Sequence, residues 1–181
     1  MRIVAGTARG RKLQIPTDSE IRPTKDRVRE AIFNSLQSYG LIESRSYLDL
    51  FAGTGSLGLE ALSRGARSVV FVDSSQLAIE CVTENINTLD FENRAEIRYQ
   101  DAMSYLKQQN QFDVVILDPP YEFDAWESLL SEICADSIVI ETSQTITLDN
   151  SWRVLKEQSY GQSNVLIATS RQQRVHKGPI T

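Results

Sequence analysis

The tetrapeptide Asp118-Pro119-Pro120-Tyr121 follows the apolar run Val114-Val115-Ile116-Leu117 and joins a carboxylate, two rigid residues and an aromatic ring. Consecutive prolines end a strand and hold Asp118 and Pro119 extended. The Asp118 carboxylate and a neighbouring backbone carbonyl can then converge on one small polar group, while Tyr121 offers a flat face to a base. An exocyclic amine of a nucleobase is the natural target. Its lone pair is delocalised into the ring, and acceptors fixed around its N–H bonds favour the geometry for attack on an electrophile.

A second constellation runs from Asp49 to Gly58, Asp-Leu-Phe-Ala-Gly-Thr-Gly-Ser-Leu-Gly. Gly53, Gly55 and Gly58 satisfy G-x-G-x-x-G, and Asp73 lies at the distance where a dinucleotide site places its ribose-binding acid. Asp49, just ahead of the glycines, would repel a pyrophosphate and attract a cation. S-adenosylmethionine carries an ammonium and a sulfonium and no phosphate. On that reading Asp49 faces the cationic end, Asp73 takes the ribose hydroxyls and Asp101 the adenine amine. Asp101 could equally serve as a helix N-cap.

These residues need a scaffold that gathers strand ends. From residue 46 onward, apolar β-rich runs at 46–51, 67–73, 95–100, 112–118 and 137–141 alternate with helical patterns at 57–64, 76–89, 102–109 and 124–134. The alternation predicts an α/β fold with a doubly wound, mostly parallel sheet, whose first and fourth strands meet at the ligand crevice. Two further strands, 152–158 and 164–169, are joined by too few residues for a parallel crossover. An antiparallel C-terminal hairpin therefore brings the sheet to seven strands. Ahead of the sheet, 2–5 and 12–15 could pair as a small hairpin. Pro23-Thr24 starts a helix with Val28, Ala31, Ile32, Leu36 and Tyr39 on its apolar face and Lys25, Arg29 and Glu30 on the other.

Length predicts one core, divided into a basic extension (1–40) and a catalytic domain (41–181). The net charge of −5 by itself counts against a nucleic-acid partner. Its distribution reverses that inference. Residues 1–29 carry +5, the eight cations Arg2, Arg9, Arg11, Lys12, Arg22, Lys25, Arg27 and Arg29 standing against Asp18, Glu20 and Asp26, and residues 171–181 carry +3, leaving −13 in between. Two cysteines, one histidine and no C-x-x-C exclude a disulfide framework and predict no metal site. Cys81 is expected as a buried, inert thiol in register with Leu77, Ala78 and Val82. The polar N-terminus and the lack of a long apolar run predict a cytoplasmic protein with no membrane contact.

The loop at 49–58, Asp118-Pro-Pro-Tyr121 and the terminal hairpin resemble the class I S-adenosylmethionine-dependent methyltransferases that modify exocyclic amines. Arg2-Ile-Val-Ala-Gly6, Arg9-Gly-Arg-Lys-Leu13, Arg22-Pro-Thr-Lys-Asp-Arg-Val-Arg-Glu-Ala31 and Asp49 through Ala66 resemble, more narrowly, the bacterial RsmD family. The chain departs from that family at Ala5, where glycine is common, and at Asp73, where the longer glutamate is commoner. The resemblance implies transfer of a methyl group to the N2 of a guanine in 16S ribosomal RNA, the family target being guanine 966. It implies Asp49, Phe51, Gly53, Gly55, Asp73, Asp101 and Ala102 at the cofactor and Asp118 to Tyr121 at the base. It also implies Arg2, Arg9, Arg11, Lys12, Arg22, Lys25 and Arg27 on the RNA, with a monomer acting on a small-subunit particle. A DNA adenine-N6 methyltransferase would suit Asp-Pro-Pro-Tyr equally, but no stretch of the chain reads as a target-recognition domain. A nicotinamide-dependent oxidoreductase is opposed by Asp49 and the antiparallel hairpin, and a non-catalytic binding module by the intact Asp118 motif.

Overall fold

The computed structural model describes residues 1–15 and 26–171. Seven strands form one sheet in the order β3-β2-β1-β4-β5-β7-β6: β1 (Ser46–Asp49), β2 (Ser68–Asp73), β3 (Ala95–Tyr99), β4 (Phe112–Leu117), β5 (Ala135–Thr142), β6 (Trp152–Tyr160) and β7 (Ser163–Ser170). The first five pair in parallel, and β7 pairs antiparallel with both β5 and β6. The mixed, mostly parallel sheet with its antiparallel ending is the expected one.

The helices α1 (Asp26–Ser38), α2 (Ser56–Ser63) and α3 (Gln76–Leu89) contribute to one hydrophobic cluster; α4 (Ala102–Leu106) and α5 (Trp126–Glu132) contribute to the other. Alternate residues of the strands feed the two clusters. Val114 and Ile116 belong to the first, Val115 and Leu117 to the second, so the central strands are covered on both faces and read as unbroken apolar runs. Gly58 is required by this packing. A Cβ there would lie 2.3 Å from the Phe71 ring, so its absence lets α2 approach β2 closely.

The N-terminal segment departs from expectation. Its hairpin reduces to a single bridge, Arg2 to Lys12, because the amides of Val4 and Ala5 donate to the Glu60 carboxylate of α2 at 2.8 and 3.0 Å. Gly6, at φ +82°, turns the chain hard against α2, where a Cβ would sit 1.9 Å from the Ser63 carbonyl oxygen. Ile3, Ala8 and Leu13 join the same cluster as α1 and α2.

Arg29 is a second departure. Helical periodicity puts it on the polar face, yet it is 0% exposed. Its guanidinium reaches the Arg2 carbonyl at 2.6 Å, Asp26 at 2.9 Å and the fully buried Glu60 at 3.6 Å. Tyr39, expected on the apolar face, is exposed, and its hydroxyl donates to the Leu155 carbonyl. Leu77 is exposed as well, while Cys81 is buried against Asn85, its thiol pushed up to about 11 by burial.

Candidate active site

β1 and β4 lie side by side, with Asp49 paired to Ile116. The glycine loop leaving β1 and the Asp118 motif leaving β4 therefore share one end of the sheet, at the point where the strand order reverses. Phe51 from the first meets Phe123 from the second edge-on, with ring centroids 5.4 Å apart, and Phe123 meets Trp126 of α5 at 5.2 Å. This aromatic row fixes the distance between the two loops.

Asp49 is 1% exposed and accepts the Gly58 amide of α2 at 2.9 Å. Burial raises its pKa to about 7, against the pull of that amide and with a further push from Asp73. Among the described residues no basic side chain forms an ion pair with it. Such a carboxylate suits a cationic ligand, which would supply the missing countercharge.

Gly53 and Gly55 both have positive φ, and Gly55 stands at the N-cap of α2 in the left-handed conformation. Asp73 ties this loop to β2: its Oδ2 accepts the Gly53 amide at 2.8 Å and its Oδ1 the Ser75 amide at 2.8 Å. Each oxygen keeps a second lone pair for a ribose hydroxyl. Asp101 is the N-cap of α4, its Oδ1 accepting the Ser104 amide at 2.9 Å, and Ala102 is buried beneath it. Thus Asp49 and Asp73 at the last positions of β1 and β2, Phe51, Gly53, Gly55 and Asp101 in the connections that follow β1 and β3, and Ala102 at the start of α4 gather at this end of the sheet.

At β4, Pro119 is buried, Asp118 half-buried, and Pro120 and Tyr121 exposed. Gln144, in the loop after β5, holds this segment: its amide nitrogen donates to the Tyr121 carbonyl at 3.2 Å and the Phe123 carbonyl at 2.7 Å, and its oxygen accepts the Trp126 indole N–H at 3.0 Å. Sequence reading missed Gln144, since an isolated polar residue in a loop carries no pattern. It also missed Asn85, which is fully buried and bridges the Thr54 carbonyl at 3.0 Å to both backbone polar groups of Gln14. Glu60 was overlooked too, although an acid inside the apolar stretch Leu57-Gly-Leu-Glu-Ala-Leu62 was a usable signal.

Arg2, Arg9, Lys12 and Arg27 are exposed, and Arg2, Arg9 and Arg27 line a surface cleft of about 380 Å³ that Asp26 and Glu30 also border. Arg11 is engaged elsewhere, pairing at the C-terminal end of α3 with Asp90 at 2.9 Å and with the Thr88 carbonyl. Arg22 and Lys25 lie outside the described residues. Among the described residues no three potential metal ligands come together, and no helix is long and apolar enough to cross a membrane.

The family model described as Conserved hypothetical protein 95 matches residues 1–169. Ribosomal RNA small subunit methyltransferase D of Haemophilus influenzae is 42% identical over 89% of this chain and 89% of its own length. The Escherichia coli K12 protein of the same name is 34% identical over 90% of this chain and 86% of its own. The solved structure of the Escherichia coli protein yhhF superposes with a TM-score of 0.84 at 33% identity, covering 96% of this chain and 99% of that one. With its specific N-terminal motifs, glycine loop and terminal hairpin all inside the matched span, the chain belongs to the Conserved hypothetical protein 95 family, that of the small-subunit ribosomal RNA methyltransferases D.

Proposed function

We propose that this protein transfers a methyl group from S-adenosylmethionine to the exocyclic N2 amine of a guanine in 16S ribosomal RNA, guanine 966 in the family's terms. The observation that carries the reading is the placement of a buried, cation-seeking Asp49 and the Asp118-Pro-Pro-Tyr121 motif at adjacent ends of β1 and β4. The names of the relatives support ribosomal RNA as the substrate.

When bound, S-adenosylmethionine supplies an electrophilic methyl group on a sulfonium. Asp49 holds its cationic end, Asp73 the ribose, and Asp101 and Ala102 the adenine, while Phe51, Gly53 and Gly55 shape the loop around it. Asp118 and a proline carbonyl accept the N–H bonds of the target amine and fix the direction of its lone pair; Tyr121 stacks on the base. A guanine must leave its helix to reach this pocket. The nitrogen that has gained a methyl group is a far stronger acid than the starting amine, and gives its proton to water or to the Asp118 carboxylate.

Residues 1–40 act as the RNA-facing extension of the catalytic domain. Arg2, Arg9, Lys12 and Arg27 meet the phosphate backbone, joined by Arg11, Arg22 and Lys25, and the monomer works on a small-subunit particle. Asp118→Ala is expected to lower kcat by at least about 100-fold while S-adenosylhomocysteine affinity, read by calorimetry, stays within a factor of three or so. Retained turnover would remove Asp118 from the mechanism.

A further inference from the structure

Glu141 belongs to neither constellation read from the sequence, yet it stands beside one of them. β4 and β5 run parallel with Leu117 opposite Ile140, so the next step along both brings Asp118 and Glu141 side by side, at the spacing of neighbouring strands, roughly 5 Å. Ile116 and Val139 face the cluster that includes α1 and α2, whereas Leu117 and Ile140 face the other. Strand alternation puts Asp118 and Glu141 on the first face, the one on which Asp49 meets Gly58 of α2. Glu141 is 8% exposed. Three residues further on, Gln144 holds the Tyr121 and Phe123 carbonyls, so the end of β5 already forms a wall of the Asp118 site. A carboxylate at this depth is costly to keep, and the steps described above make no use of it.

We propose that Glu141 is a specificity-determining residue that reads the Watson–Crick edge of the target base, accepting the N1–H of guanine while Asp118 holds the N2 amine. The inference rests on reading the site as a base-methylating pocket. Guanine presents N1–H and N2–H as adjacent donors, which two acceptors side by side match. Adenine presents a bare N1 acceptor next to its N6 amine, and a carboxylate facing that nitrogen would repel it. Glu141 thereby selects guanine and rejects adenine. A site built around a hydrogen bond discriminates strongly against an analogue that lacks the matching group.

2-Aminopurine keeps the amine at C2 but has neither the N1–H nor the O6 of guanine, so the change in preference on substituting Glu141, rather than the preference alone, reads the contact. Small-subunit particles would be reconstituted with guanine or 2-aminopurine at the modified nucleotide, and kcat/KM compared for wild type and Glu141→Gln. Wild type is expected to prefer guanine by at least about 100-fold. Glu141→Gln, whose amide can donate to the bare N1, is expected to reduce that preference by at least about tenfold, with S-adenosylhomocysteine affinity unchanged. An equal loss on both bases, as a carboxylate with a purely structural role would give, overturns the inference. So does a wild-type enzyme that treats the two bases alike, a result that decides the matter even if the variant does not fold. A wild-type enzyme that leaves guanine N2 unmodified in these particles overturns the proposed function itself, and the inference with it.

Discussion

Asp49 shows how far one side chain can be tuned by its surroundings. Its carboxyl titrates near 7 in the folded protein because burial disfavours the charge, against an ordinary value of 3.8. The folded state thus holds a proton that the unfolded chain releases near pH 4. Asp49's contribution to stability is full below about pH 4 and is lost as pH rises through 7. Cofactor binding carries the opposite sign, because an ammonium group prefers the ionised carboxylate. Affinity for S-adenosylhomocysteine should tighten as pH rises from about 6 to 8, with proton release on binding below 7. Calorimetry in buffers of different ionisation enthalpy checks this, and Asp49→Asn should bind more weakly with a flatter pH profile. A flat profile in wild type would remove the cation-binding role. Asp49 and Asp118 were legible in sequence because each sits at a strand end next to glycine or proline punctuation. The tuning was not, since it depends on 1% exposure and on one amide nine residues away.

At the scale of elements, strands and helices followed the apolar runs and breakers closely, and the brevity of the β6–β7 connection settled the antiparallel ending. What sequence could not reveal were contacts between elements distant in the chain. Periodicity assigns Arg29 to solvent, and only folding brings it to Glu60; Val4 and Ala5 could not pair as a strand because α2 claims their amides. Two predictions belong here. Gly58→Ala forces a Cβ against the rings and methyls of Phe71 and Val69 and should destabilise the fold by about 1–3 kcal/mol, visible in thermal unfolding. Gln144→Ala frees the Tyr121 and Phe123 carbonyls and should lower kcat by about tenfold while cofactor affinity holds. A variant with unchanged kcat would show that Gln144 does not position the Asp118 loop.

Over the whole molecule, the net charge of −5 conceals an arrangement in which Asp49, Asp73 and Asp101 stand at or just beyond the ends of neighbouring strands and basic residues collect at the N-terminal end of the chain. Glu60 joins the two, since it lies on the helix that follows the glycine loop and grips the arm carrying Arg2 and Arg9. Reversing Arg9 and Lys12 to Glu leaves the core untouched, as both are exposed, and should weaken RNA binding by at least about tenfold and flatten its salt dependence. Unchanged binding would move the RNA footprint off this face. The most direct measurement is incubation with methyl-labelled S-adenosylmethionine and small subunits or 16S RNA lacking the modification, followed by mapping of the labelled nucleotide and atom. One methyl group on the N2 of a single guanine is the predicted result; label on another base or another atom, or none on 16S RNA in either form, would contradict it.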